Sequence, residues 1–198
     1  MKQPQLRLYI IYSRTNLKKN SFVFLFFMLC FQLFNTAAMD VTYRLDGKLL
    51  TCSISTPPMK IRSIMDSMEI GHRSEIEFII KVYQNKSRFF SFLGDRLEEE
   101  KVVSYVATRD MVNGTFTIVK PDGQKIKKED EESFLNMFFS ADNIKVDLSG
   151  AGKGEYYILS CIELKVIKLI PPLNLLSDII PGVITKTDWI KVGTFRIN

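Results

Sequence analysis

The chain has 198 residues, a length typical of one domain, and carries 27 lysines and arginines against 22 aspartates and glutamates. Five of the basic residues and none of the acidic ones lie in residues 1–38, so the rest of the chain has 22 charges of each sign. A neutral body gains nothing from releasing the counterions of a phosphate backbone, so we predict no nucleic-acid partner.

The first 38 residues are typical of a secretory leader. A basic segment precedes an apolar run from about Phe22 to Phe34, and the small residues Ala37 and Ala38 follow. A spanning helix needs ~20 apolar residues, more than this run supplies without its polar neighbours. We therefore predict a signal peptide cleaved after Ala38, with a retained membrane anchor or a buried helix as alternatives, ahead of one domain over residues 39–198. A signal or an anchor predicts an exported protein, in the periplasm or otherwise outside the cytoplasm.

Alternation of apolar and polar residues dominates from Val41 onward and predicts antiparallel strands with one solvated face. Ile76, Phe78 and Ile80 share one side of such a segment, and Glu75 lies on the other. The segments with this alternation are 41–45, 48–54, 74–82, 102–108, 115–119, 144–148, 155–168 and 188–197.

Turns and two helical segments complete the pattern. Asp46-Gly47, Asn113-Gly114 and Pro121-Asp122-Gly123 are typical of tight turns between strands. Apolar residues recur at helical spacing in 57–71 and in 129–139. Because regularly spaced strands must bury one face against a second sheet, we predict a mainly β fold. It is an antiparallel β-sandwich-like domain of about eight strands with two short helices, or a partly open barrel.

Two further motifs are better explained by a structural role than by a catalytic or ligand-binding one. The stretch from Ser149 to Glu155 resembles a phosphate-binding loop, but Gly154 follows Lys153 where that loop needs serine or threonine. We interpret it as a glycine-rich turn between strands. The acidic run Glu98–Glu100 is predicted to be a solvated loop.

No pattern of catalytic or metal-binding residues is present. His72 is the only histidine and follows Gly71 at the foot of a predicted strand, so a Ser-His-Asp site is the less favoured interpretation. One histidine and two strand cysteines do not supply three or four zinc ligands at close spacing, and no DxDxDG calcium loop occurs. The sequence therefore predicts a protein that is not an enzyme and that holds no metal or other cofactor.

Three cysteines remain to be assigned. Cys30 belongs to the leader, which leaves Cys52 and Cys161, each in a predicted strand. In an oxidising compartment these two are a candidate disulfide. The alternative is a pair of small buried hydrophobic residues, which is how free cysteines usually behave.

Two connections between strands are unusually apolar. One is RFFSFLG at 88–94, and the other is the proline-flanked segment 169–183. They could fold back over the ends of the sandwich, or they could form a contact surface for a partner protein or for the membrane. The candidate partner-binding residues are Phe89, Phe90, Phe92, Leu173, Leu176 and Ile180.

The order of these elements resembles that of a known family. A long strand, YYILSCIELKVIKL, is followed by Pro171-Pro172-Leu173 and by a strand with Trp189. Upstream lie IIKVYQ, the connection RFFSFLGD and the pair YVATRDMVNGTFTI with its Arg-Asp. Over about 39–197 these features resemble an uncharacterised bacterial family of exported or membrane-anchored β-rich domains. The resemblance implies an envelope location and a β-rich fold, and it implies no catalytic residues because that family has no assigned activity.

From these observations we expect a non-catalytic protein of the bacterial envelope that acts as a protein-interaction module. Its partner would be another envelope protein or the membrane surface. The first alternative is a carrier of a lipid or another apolar ligand, since β-rich shells can enclose such molecules. A hydrolase is a distant alternative that would need a cleft with paired acids or a serine beside His72.

Overall fold

The computed structural model describes residues 39–85, 94–167 and 184–198. Its strands are β1 (Asp40–Asp46), β2 (Leu49–Ser55), β3 (Ser74–Asn85), β4 (Arg96–Arg109), β5 (Phe116–Val119), β6 (Lys125–Lys128), β7 (Ser140–Asp147), β8 (Gly154–Lys165), β9 (Ile184–Lys186) and β10 (Ile190–Ile197). Its helices are α1 (Ile61–Glu69) and α2 (Glu131–Phe138). Over these ranges no helix is long and apolar enough to cross a bilayer. The leader and its predicted cleavage site lie outside the described residues, so signal and anchor both stay predictions.

All the strands pair antiparallel and form two sheets. The smaller has the order β1-β2-β7, and the larger has the order β10-β8-β3-β4-β5-β6. The short β9 pairs with the edge of β8 that also carries β10. This arrangement confirms the predicted mainly β, sandwich-like fold with two short helices, although the described residues hold ten strands rather than about eight.

The core lies between the two sheets and follows the alternation of the sequence. The even-numbered residues of β3 point inward, and Ile76, Phe78, Ile80 and Val82 have no exposed surface. Side chains from both sheets and both helices join them in one apolar cluster, among them Leu50, Cys52, Ile54, Ile64, Met68, Ile118, Phe134, Phe138, Tyr156, Ile158 and Ile162. Residues on the inner face of one sheet are therefore buried by the other.

Both helices lie at one end of the sandwich, which we call the helical end. The Ser67 hydroxyl of α1 and the Ser74 hydroxyl of β3 both donate to the Val166 carbonyl, at 3.2 and 2.6 Å. The helix α2 begins after Asp130, whose carboxylate accepts from the Ser133 amide at 2.7 Å. We call the opposite end, with the Gly47 turn and the residues around Asn85 and Gly154, the far end.

Three local details differ from the sequence-based expectation. The strand β4 begins at Arg96, so Glu98–Glu100 lie in a strand, and their prediction as a solvated loop was wrong. Residues 96–105 of β4 pair only with β3, because β5 pairs with β4 only from Val106 to Arg109. A strand exposed in this way tolerates charges on both faces, which hides its alternation. The strands β6 and β9 were not predicted because they are only four and three residues long.

The edge strand β10 is partly covered by β1. The Tyr43 hydroxyl donates to the Thr194 carbonyl at 3.1 Å, and the Tyr43 and Phe195 ring centroids are 6.5 Å apart. Gly193 permits this approach, because a Cβ there would lie 2.6 Å from the Tyr43 ring and hydroxyl. Covering the edge of a sheet in this way limits its pairing with other chains.

Replacing Gly193 by alanine should therefore destabilise the fold. The added methyl group would displace the Tyr43 ring and break its hydrogen bond to the Thr194 carbonyl, and losing such a bond costs about 0.5–1.5 kcal/mol. Urea denaturation measures the loss. The matched control is Gly150→Ala, because no atom lies within 4 Å of a Cβ at Gly150. Equal unfolding free energies for the two variants would contradict the contact.

Candidate functional site

The six predicted partner-binding residues lie in 86–93 and 168–183, outside the described residues. The described strands do show where these two connections attach. In the β3–β8 register Asn85 pairs with Glu155 and Glu75 pairs with Lys165. The first connection therefore leaves from the far end and the second from the helical end, which are about 34 Å apart at ~3.4 Å per residue.

His72 is exposed in the turn between α1 and β3. Its backbone amide donates to the Ser67 carbonyl at 3.0 Å, and within the described ranges its imidazole has no hydrogen-bond partner. A nucleophile–base–acid arrangement requires such a partner, so the described residues do not place a triad at His72. The same ranges hold no group of three or more potential metal ligands.

The two cysteines occupy different faces of the molecule as free thiols. Cys52 lies on β2 in the core between the sheets, and burial raises its pKa to about 11. Cys161 lies on the opposite, outer face of β8, and burial also raises the pKa of its thiol. The candidate disulfide is therefore not formed in the structure, which instead has the alternative of two buried thiols. The thickness of the larger sheet separates their side chains.

The face of the larger sheet that points away from the core combines charged, apolar and aromatic side chains. We call it the outer face and define it by the odd-numbered residues of β3 and β8, with their neighbours on β4, β9 and β10. Its residues form rows across the strands, because each strand is in register with the next. Several of them are buried although they face away from the core, among them Ile79 and Cys161, which are 8% and 0% exposed.

Near the helical end the outer face carries linked ion pairs. The Lys165 ammonium lies 2.7 Å from a Glu77 oxygen and 3.7 Å from Glu163, and Glu163 is also 3.5 Å from Lys186. Burial alone would lower the pKa of Lys165, but the hydrogen bond and charge of Glu77 raise it above 10.5. The associated stability is therefore fully present below about pH 10.5 and is lost as the pH rises through the folded-state pKa.

A second charged row crosses the middle of the face. The Lys81 ammonium is 3.3 Å from a Glu100 oxygen, and the two residues are direct partners in the β3–β4 register. Lys191 occupies the corresponding position on β10, opposite Leu159. Opposite charges placed side by side on neighbouring strands stabilise the pairing and fix its register.

An apolar row lies between the two charged rows. It runs from Val102 through Ile79 to Cys161, which are direct register partners. Trp189 completes it, because Lys186 pairs with Glu163 and Ile190 with Ser160, which leaves Trp189 beside Cys161. Val102 and Trp189, at the two ends of the row, are 47% and 40% exposed.

The Trp189 indole is held in place by two cations. The Lys81 ammonium lies 5.2 Å from the ring centroid, and the Lys186 ammonium lies 5.5 Å from it. Such contacts stabilise by about 0.5–1 kcal/mol at exposed sites. Trp189 is thus both exposed and fixed in orientation, as a side chain that anchors a partner must be.

Sequence reasoning placed Trp189 in the resemblance but did not assign it a role. In the sequence, the charges of the outer face form the polar half of the alternation. Such a pattern usually indicates a face that contacts only solvent. Nothing in a single strand shows that Val102, Ile79 and Trp189 form one row, because they come from strands far apart in the chain. A sole tryptophan beside a charged strand is the one signal that could have singled out this face.

Comparison of the chain with models of known protein families found no match, and comparisons with curated proteins and solved structures found none either. The family resemblance therefore stays a prediction.

The burial of the two thiols predicts their reactivity. We expect neither Cys52 nor Cys161 to be alkylated by iodoacetamide in the native protein at pH 8, and both to react in denaturant, because the thiolate is the reactive form and burial disfavours it. Mass spectrometry of peptides with each residue measures the labelling. A peptide pair joined through Cys52 and Cys161, recovered without reductant, would contradict the described arrangement.

Proposed function

We propose that this chain is a non-catalytic binding protein of the bacterial envelope, which binds another envelope protein through its outer face. The leader and the family resemblance support the location. The apolar row that ends in Trp189 supports the binding surface.

The composition of the outer face matches that of a protein-binding surface. Binding energy in such interfaces concentrates in a few central residues, tryptophan above all, within a ring of polar groups that excludes water. Here Trp189 and Val102 are exposed between the row of Lys165, Glu77 and Glu163 and the row of Lys81 and Glu100. We take Trp189 as the anchor and the two charged rows as the rim.

The balance of charge on this face bears on the kind of partner. The lysines of the rim are paired with glutamates, so the face has no strong excess of either sign. A face of this kind has little long-range attraction for a polyanion, whether a nucleic acid or an anionic lipid surface. It favours a protein that has charges of both signs. The two charged rows would then determine where that protein sits on the face.

The carrier alternative requires a cavity, and the packing of the sandwich does not favour one. Phe78, Phe134, Phe138 and Tyr156 lie between the sheets with no exposed surface. A side chain that water cannot reach cannot line a cavity wide enough for an acyl chain. The described core is thus filled by its own residues, as protein interiors usually are.

Cross-linking in cells tests the proposed surface. A photo-crosslinking benzoylphenylalanine at Val102 keeps the apolar row and should give one discrete protein adduct. The further change Trp189→Ser should reduce the adduct at least tenfold, because it removes the anchor. Immunoblotting of the irradiated cells measures the yield.

The matched control places the same photo-crosslinker at Leu49, which is 38% exposed on the smaller sheet. The proposal would be overturned by the same adduct from position 49, or by an unchanged adduct after Trp189→Ser in a variant of normal abundance. A separate variant with serine at all six residues of the apolar connections shows whether they contribute. Those residues are Phe89, Phe90, Phe92, Leu173, Leu176 and Ile180.

Native mass spectrometry separates the binding module from the carrier. Because the described core is filled, we expect the gently purified protein to have its polypeptide mass alone. A lipid present at one molecule per chain in repeated preparations would contradict this expectation and would favour the carrier.

A further inference from the structure

A pocket of about 320 Å³ lies at the far end, where the end of β3 and the start of β8 meet the end of β10. Its walls include Asn85, Glu155, Tyr157, Thr194, Phe195 and Arg196. The volume is near the lower limit of about 300–1,000 Å³ for small-molecule sites, and it combines aromatic walls with a few polar groups, as those sites do. It lies at the far end of the outer face, apart from Trp189, Val102 and the two charged rows that carry the proposed protein contact.

Two residues of this pocket, Glu155 and Arg196, carry opposite charges. Glu155 and Arg196 are direct partners in the β8–β10 register, a position from which such side chains can readily meet. Yet neither forms an ion pair with any residue of the described ranges. The lysines and glutamates at the other end of the same sheet, by contrast, are linked. The pocket thus offers one anion and one cation on adjacent strands, neither of them in an ion pair with a described residue.

The aromatic wall of the pocket, Tyr157, is held by three neighbours. The Tyr83 ring is nearly parallel to it with the centroids 5.4 Å apart, and the Lys191 ammonium lies 4.5 Å from the Tyr157 centroid. The Tyr157 hydroxyl donates to Asp95 at 2.9 Å. A side chain fixed in this way loses little conformational freedom when a ligand binds.

We propose that this pocket binds a small zwitterion with an apolar side chain, such as a free amino acid. The ligand ammonium pairs with Glu155 and the ligand carboxylate with Arg196, which can accept it in a bidentate geometry. Thr194 and Asn85 supply further hydrogen bonds, and Tyr157, on the same face as both charges, contacts the apolar part of the ligand. A neutral sugar would also suit aromatic walls, but it would leave both charges without a counterpart, so the unpaired Glu155 and Arg196 favour the zwitterion.

Calorimetry on the purified protein tests this site with L-phenylalanine as the probe. Two analogues each lack one charge, N-acetyl-L-phenylalanine the ammonium and L-phenylalaninamide the carboxylate. We expect saturable binding of L-phenylalanine and at least tenfold weaker binding of each analogue. Absence of saturable binding by L-phenylalanine and L-leucine at millimolar concentration would overturn the proposal, and so would equal affinities for the probe and its analogues.

Single substitutions test which residue binds which charged group of the ligand. Arg196→Gln should weaken L-phenylalanine binding at least tenfold and should abolish the preference over the amide, while Glu155→Gln should abolish the preference over the N-acetyl compound. The matched control, Arg44→Gln, changes an exposed arginine on the smaller sheet and should leave affinity unchanged. Thermal unfolding of each variant establishes that it is folded. Unchanged affinity in folded Arg196→Gln would contradict the assignment, whatever the result for the Trp189 surface.

Discussion

The structure depends on the pairing of β3 on both of its edges. It pairs with β4 from Ser74 to Gln84 and with β8 from Glu75 to Asn85, so nearly every residue of the strand is bonded on two sides. Both neighbours are long, and the two pairings keep the three strands in register over the length of the domain. Because side chains alternate along a strand, this register determines the inner and the outer face together.

The two faces of β3 serve different purposes. Its inner residues carry the core against the smaller sheet, where Phe78 and Ile80 are fully buried. Its outer residues Glu77, Ile79 and Lys81 each lie in a row that continues on β8. A surface built on paired strands is presented in one conformation, which limits the entropy lost on binding. The far-end pocket has the same origin, since the ends of β3, β8 and β10 form it.

Much of this fold could be predicted from the sequence, because alternation and turn residues are local signals. The core positions of β3 and β8 followed from alternation, and the turns at Gly47, Gly114 and Gly123 all have the positive φ that glycine accommodates. The strand at Glu98–Glu100 could not be predicted, since its exposed edge allows charges on both faces. The Trp189 row and the Glu155–Arg196 pair could not be predicted either, because each needs the register between distant strands. The leader and the six residues of the apolar connections stay predictions.

The central claim is that one strand carries stability on one face and partner binding on the other. Single substitution of every residue from 75 to 85 by serine tests it directly, with folded abundance and the yield of the adduct from position 102 measured for each variant. The account predicts a period of two: even-numbered positions from 76 to 82 lower the abundance, while Glu77 and Lys81 lower the adduct yield per folded molecule. An adduct yield that follows abundance at every position, with no alternation, would contradict the account.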